Sequence, residues 1–256
     1  MTQHQNNANS ILTRDPESVD AAVKTLTEAF ATDPVVHYML NSLSDEERKS
    51  YMPTLFTAFL NACTLNNGTI YSIGTNESHS ACVTFLPPGS DMANPWTWYS
   101  SGMLSVIWKL GFGGIKRILK GYAAAADAAK GRHMVMDGPE KEKYYYVFII
   151  GAKDEARGQG LGSKLMSEVR DKCKREGMSC WLESTTEGSK RLYERLGWKT
   201  VEEIVLGKGE VGPDGLVKEG GEGVKIWGML YRPEKEETAP AVEPVEATPE
   251  VVVAAN

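Results

Sequence analysis

The sequence predicts an α+β fold: a single domain with a mixed central sheet of about seven strands flanked by helices. Three observations predict it. Apolar runs of strand length, bounded by turn residues, fall at 69–73, 81–86, 144–150, 178–182, 198–206 and 224–231. Apolar residues recur at helical spacing between them, and one strand is joined to one helix by a short glycine-rich loop.

Taken in order, residues 11–14 suit a short first strand, and Asp15-Pro16-Glu17 opens a helix with Val19, Val23, Leu26 and Phe30 on one side. Asp33-Pro34 stops it. A second helix starts near Asp45, carries Tyr51, Leu55, Phe59 and Ala62 on one face, and ends at Asn66-Asn67-Gly68. Residues 69–73 and 81–86 flank a polar turn, as the arms of a hairpin do. About 87–136 reads as a helical insertion between strands, with Trp96, Trp98, Tyr99, Trp108 and Phe112 and an alanine-rich stretch at 122–130. Those five aromatics either line a pocket or pack helices together. The run at 144–150 has the pattern of a strand buried on both faces. After the glycine loop, Leu161, Leu165, Val169 and Cys173 recur every fourth residue, and Gly177 stops that helix. Residues 178–182 form a strand, 189–196 a short helix, and 198–206 and 224–231 two more strands around a polar loop at 207–223.

The 256 residues carry a formal net charge of -6. That balance opposes a phosphate-backbone footprint, so nucleic acid is not an expected partner. Cys63, Cys82, Cys173 and Cys180 show no paired or metal-ligand spacing with His4, His37, His79 or His133, so reduced packing thiols and no metal are expected. No apolar stretch reaches the roughly 20 residues of a spanning helix, and 1–10 lacks a signal-peptide core. A cytoplasmic protein without membrane contact is expected, monomeric or homodimeric. Residues 1–9 and the Glu-Pro-Ala-Val tail at 233–256 read as disordered, leaving 10–232 as the folded domain.

The loop Arg157-Gly158-Gln159-Gly160-Leu161-Gly162 ends a strand-to-loop passage and starts a helix. Backbone N–H groups at a helix start bind anions, and glycines let a pyrophosphate approach them. Counting excludes two nucleotide motifs. Both the dinucleotide fingerprint and a P-loop begun at Gly158 require glycine where Ser163 stands, and the P-loop also requires Ser or Thr where Leu165 follows Lys164.

The pattern that fits is [QR]-x-x-G-x-[GA], filled by Arg157, Gly160 and Gly162. It resembles the coenzyme A pyrophosphate loop of the GNAT superfamily of N-acetyltransferases. Trp181-Leu182-Glu183-Ser184 and Leu192-Tyr193-Glu194-Arg195-Leu196-Gly197-Trp198 resemble that family's second cofactor segment, and are closest to the puromycin N-acetyltransferase-like branch. The resemblance implies acetyl-CoA as cofactor and an acetyltransferase acting on the primary amine of a small molecule, by direct attack in a ternary complex. A protein lysine or N-terminal acetyltransferase and a non-catalytic acyl-CoA-binding regulator are the alternatives. It implies a strand that splays from its neighbour and offers Ile149, Ile150, Gly151 and Ala152 to the pantetheine arm, with Gly151 suited to an irregularity there. It implies cofactor contacts from Arg157, Gly158, Gln159, Gly160, Leu161, Gly162, Ser163 and Ser189, the last standing where many relatives carry asparagine. Tyr193 matches the family's general acid; a phenol of pKa about 10 keeps its proton for a departing thiolate, although simple packing beside Leu192 would also explain it. A base is needed for the amine, and Glu183, at a strand end, is the first choice over Glu187 in the following loop, although a solvated surface charge would also explain either. Cys180 has no histidine placed to activate it as a relay. Asp33, His37 and Tyr38 occupy the family's acceptor side and are expected substrate contacts.

Overall fold

The structure is a computed structural model that describes residues 10–13, 16–74, 78–92, 94–136 and 141–234. Most of the two ends expected to be disordered, 1–9 and the tail from 235 onward, lies outside the described residues.

The chain opens with β1 (Ser10–Thr13) and α1 (Pro16–Ala29), then α2 (Pro34–Met39) and α3 (Asp45–Leu65). α2 is an element the sequence reading lacked. Asp33-Pro34 both stops one helix and starts the next: the Asp33 carboxylate accepts from the Val35 and Val36 N–H groups at 2.9 and 3.1 Å, and Pro34 sits at the first helical position, where no N–H is needed. α3 starts with a capping box in which Ser44 and Glu47 exchange side-chain-to-backbone hydrogen bonds at 3.1 and 3.2 Å.

The hairpin is β2 (Thr69–Gly74) and β3 (His79–Leu86), and the insertion holds α4 (Pro95–Ser101), α5 (Met103–Ile115), a π-helical stretch (Lys116–Ala123) and α6 (Ala124–His133). Gly111, at φ 61° and ψ -170°, interrupts α5 with a conformation that only glycine adopts easily. The C-terminal half comprises β4 (Tyr144–Ala152), α7 (Leu161–Glu176), β5 (Ser179–Ser184), α8 (Glu187–Arg195), β6 (Lys199–Leu206) and β7 (Val224–Tyr231).

The strands form a mixed sheet in the order β1-β2-β3-β4-β5-β7-β6, antiparallel throughout except for the parallel pair β4 and β5. Each face carries a core. On one, Leu26 of α1, Phe56 and Leu60 of α3, and Val106, Leu110, Ile118 and Ala129 of the insertion cluster with Trp181. On the other, Leu165, Met166, Val169 and Cys173 of α7 cluster with Tyr145, Val147, Leu182 and Tyr193. The four-residue spacing of α7 thus reports the face it buries.

β4 departs from the doubly buried strand expected of it. Tyr145 and Val147 are buried, but Tyr144, Tyr146 and Phe148 through Ala152 are only half-buried. Their second face meets α1 and α3 only in part and otherwise lines a cavity.

Candidate active site

β4 and β5 pair only at Tyr144 with Ser179, Tyr145 with Cys180 and Tyr146 with Trp181. Beyond that point β4 continues to Ala152 and β5 to Ser184 without pairing to each other, so the sheet parts along 147–152. The register slip lies between Thr84 and Phe85, opposite Ile149 and Val147. It does not lie at Gly151, which pairs regularly with Cys82. Gly151 has another cause: a Cβ there would stand 2.9 Å from Ala29 Cβ and 3.0 Å from Leu26 Cδ2, so glycine lets α1 lie against β4.

The parted strands open a cavity of about 1700 Å³. Its walls come from both faces of the sheet. Phe30, Phe56, Phe59, Tyr122, Tyr146 and Phe148 line it on the side of α1, α3 and the insertion, and Leu192 and Tyr193 line it on the side of α8.

Glu183 is held in this cavity by three side-chain donors. Its Oε2 accepts from the Tyr146 hydroxyl at 2.8 Å and from the Tyr122 hydroxyl at 3.4 Å, while its Oε1 accepts from the Trp181 indole N–H at 2.5 Å. Burial, and after it the adjacent Glu183 charge, pushes both phenols well above the ordinary tyrosine range. They therefore stay protonated and act as donors. Lys130 Nζ lies 4.7 Å from the centre of the Tyr146 ring and 2.8 Å from Asp127. Burial opposes its charge, but Glu183 and Asp127 more than offset that and raise its pKa.

Tyr193 of α8 is buried at the cavity wall, and burial first, then the negative charge of Asp33, raises its phenol above the ordinary value. Asp33 lines the same cavity. Its second oxygen accepts from the Thr185 hydroxyl at 2.6 Å, and burial raises its carboxyl in spite of these bonds.

The glycine loop brings α7 to the cavity's other end. Gly158 and Gly160 have φ of 76° and 75°, in the left-handed region, and a Cβ on either would meet nothing within 4 Å. No side chain caps α7. Helix geometry gives Leu161, Gly162 and Ser163 no intrahelical acceptor for their N–H groups, so the loop suits an anion such as a pyrophosphate.

Of the residues expected to hold coenzyme A, Ile149, Ile150, Gly151, Ala152, Arg157, Gly158, Gly162 and Ser189 line the cavity, and Gln159, Gly160, Leu161 and Ser163 complete the same turn. The Arg157 guanidinium is turned to Asp154 at 3.0 Å and to the Ala29 carbonyl at 3.2 Å. Ser189 sits in the start of α8, its hydroxyl 2.7 Å from that of Ser184 and 2.8 Å from that of Thr186.

Two expected acceptor residues are not brought to the cavity. His37 places its ring nitrogens 3.1 and 3.2 Å from the Asp214 and Ala31 carbonyls. Tyr38 is buried against Gly121 and Gly207, where a Cβ would strike its ring. Both lie on α2, whose Val35, Val36 and Met39 line the cavity while His37 and Tyr38 do not. Of the five aromatics in the insertion, only Trp98 lines it.

Sequence reasoning assigns no site role to Tyr146, Tyr122, Trp181, Thr185 or Lys130. Trp181 and Glu183 are two apart in a strand and so share a face, as do Tyr144, Tyr146 and Phe148, and that alternation was a usable signal. Tyr122 had none, because its meeting with Glu183 joins residues 61 apart.

Comparison with known proteins agrees with this architecture. Residues 36–198 match the model of the Acetyltransferase (GNAT) family. An uncharacterised N-acetyltransferase of Schizosaccharomyces pombe is 26% identical over 188 residues, 72% of each chain. Among solved structures, arylalkylamine N-acetyltransferase 2 of Aedes aegypti superposes with a TM-score of 0.58 at 16% identity, covering 88% of this chain and 99% of that one. A Corynebacterium glutamicum protein described as histone acetyltransferase HPA2 and related acetyltransferase superposes at 0.55 and 15% identity, covering 88% and 96%. The structures share the fold, and the family match spans more than half of the sequence; the chain belongs to the GNAT family of acetyltransferases.

Proposed function

We propose that residues 10–232 form an acyltransferase domain that moves acetyl from acetyl-CoA to the primary amine of a small molecule by direct attack in a ternary complex. One observation carries this reading: Glu183, gripped by Tyr146, Tyr122 and Trp181, shares a single cavity with Tyr193 and with the uncapped glycine loop. Acetyl-CoA would supply an activated acetyl thioester, its pyrophosphate held by the 157–163 turn and its arm by the unpaired edge of β4.

The chain's own residues then divide the proton work. Glu183, oriented by its three donors, receives the ammonium form of the acceptor and takes its proton directly or through water. Tyr193, kept protonated by burial, gives its proton to the departing sulfur. Asp33 adds a second acidic group on the acceptor side, and Phe30, Phe56, Phe59 and Phe148 supply apolar surface for the rest of the molecule.

Aromatic walls around carboxylates favour an arylalkylamine, the substrate class in the name of the Aedes aegypti neighbour. The stretches around Glu183 and Tyr193 support kinship with the puromycin N-acetyltransferase-like branch. The name of the Corynebacterium neighbour points instead to a protein acceptor, but a cavity walled from both faces of the sheet fits a small amine better than a peptide in an open groove.

Thiol release from acetyl-CoA, measured against arylalkylamines, diamines, amino acids, and peptides with free N-termini or lysines, decides among these. Arylalkylamines should give the highest kcat/KM. A preference for peptides would overturn the small-molecule reading, and tight CoA binding without thiol release from any acceptor would overturn the enzyme reading.

A further inference from the structure

The insertion carries a surface that neither catalysis nor packing uses. Trp96 and Tyr99 on α4 and Trp108 and Phe112 on α5 are 89%, 83%, 91% and 87% exposed, and Leu104 and Leu119 are exposed beside them in sequence. Their spacing, three apart on α4 and four apart for Leu104 and Trp108, puts each set on one side of its helix, and Phe112 follows the break at Gly111. The opposite side of α5, with Val106, Leu110 and Gly114, is buried, and both helices contact α3. The exposed sides therefore face away from the body. So large a cluster of exposed aromatics has no account in the folded monomer.

Its charge is equally distinctive. From 92 to 126 there is no Asp or Glu, while Lys109, Lys116, Arg117 and Lys120 are all present, in a chain of net charge -6. Lys109 reaches Glu47 at 3.3 Å and Arg117 is half-buried near Tyr38 and Glu210, but Lys116 and Lys120 are exposed. Trp and Tyr beside basic residues on helices too short and too interrupted to span is the composition of a helix that lies in a membrane interface. Among the described residues, no helix is long and apolar enough to cross a membrane.

We propose that α4, α5 and the π-helical stretch after them dock this protein onto an anionic lipid bilayer, the aromatics entering the headgroup region and Lys116 and Lys120 meeting lipid phosphates and carboxylates. A second copy of the chain is the weaker occupant, because a two-fold contact through this patch would bring like-charged lysines together. Leu119 belongs both to the patch and to the cavity wall, so docking sets the acceptor end of the cavity beside the bilayer. Such docking departs from the sequence expectation of no membrane contact.

Vesicle flotation of the full chain tests it, with phosphatidylcholine alone and with about one part in three phosphatidylserine. The chain should float with the anionic vesicles and at least about tenfold less with the neutral ones, with a blue shift of tryptophan emission. Trp96→Ser/Trp108→Ser/Phe112→Ser and, separately, Lys116→Glu/Lys120→Glu should each lower partitioning by about tenfold or more. Circular dichroism, melting and turnover of a water-soluble amine should stay unchanged, since none of these five side chains lines the cavity; flotation of the wild-type chain without thiol release from any amine would count against the catalytic reading alone. Absence of flotation, equal flotation with both vesicles, or undiminished flotation of either variant overturns the proposal. So does a concentration-dependent oligomer that the triple variant dissolves while vesicles stay unbound.

Discussion

In the proposed reaction Glu183 and Tyr193 have opposite proton duties, and their surroundings differ accordingly. Glu183 is surrounded by donors, whereas burial denies the Tyr193 phenol the solvation that its anion would need. Tyr193→Phe should lower kcat by about a hundredfold or more with CoA affinity within about twofold, and Glu183→Gln should lower kcat/KM for the amine by about 10²–10⁴-fold with CoA binding intact. Unchanged turnover in either variant rejects its assignment. Asp33 allows a test by pH. Burial raises its carboxyl above the ordinary 3.8, so the folded chain holds a proton that the unfolded chain releases. The stability this contributes is fully present below pH 3.8 and is lost as pH rises through the raised folded value. Asparagine keeps the cap acceptor for α2 and cannot ionise. The Tm of Asp33→Asn should therefore gain steadily on that of the wild type as pH climbs through this window, and parallel Tm curves would reject the shift.

At the scale of elements, the site is made by a strand that stops pairing and a helix that starts without a cap. β4 parts from β5 after Tyr146, and α7 follows its N-cap Gly160 with no side chain on its first N–H groups. Gly160→Glu puts a carboxylate where an anion is to bind and forces a side chain into a left-handed backbone, which costs about 1–2 kcal/mol. CoA affinity should fall by more than about tenfold, while circular dichroism stays native and Tm drops modestly, because the added Cβ meets nothing within 4 Å. Retained affinity would reject the loop as the pyrophosphate site. The same elements mark how far the sequence could be read. The strand, loop and helix from 144 to 176 were legible because period and punctuation are local. α2 was not, since Asp33-Pro34 is equally a stop and a start, and the slip opposite Val147 and Ile149 depends on β3.

At the scale of the molecule, both sheet faces are covered, and the four cysteines are free, buried thiols, Cys82 in one core, Cys173 and Cys180 in the other and Cys63 on α3. Burial pushes the Cys82 thiol up to about 12 and the Cys63 thiol higher still. A thiol reagent should label none of the four in the native protein and all four in denaturant, and added reductant should leave Tm unchanged. Labelling of a native thiol would show that one of these cores opens. The sequence by itself determined the strands and most of the helices, the glycine-rich helix start and the spacing of that loop from the Tyr193 segment, because each is written in spacing along the chain. Only the tertiary structure decided what faces what. It set Tyr122 on Glu183 across 61 residues, turned His37 and Tyr38 away from the cavity, and left Trp96, Tyr99, Trp108 and Phe112 in solvent. An apolar residue on a helix announces that some surface is wanted for it, but whether a core, a substrate or a partner supplies that surface depends on how the helices pack in three dimensions.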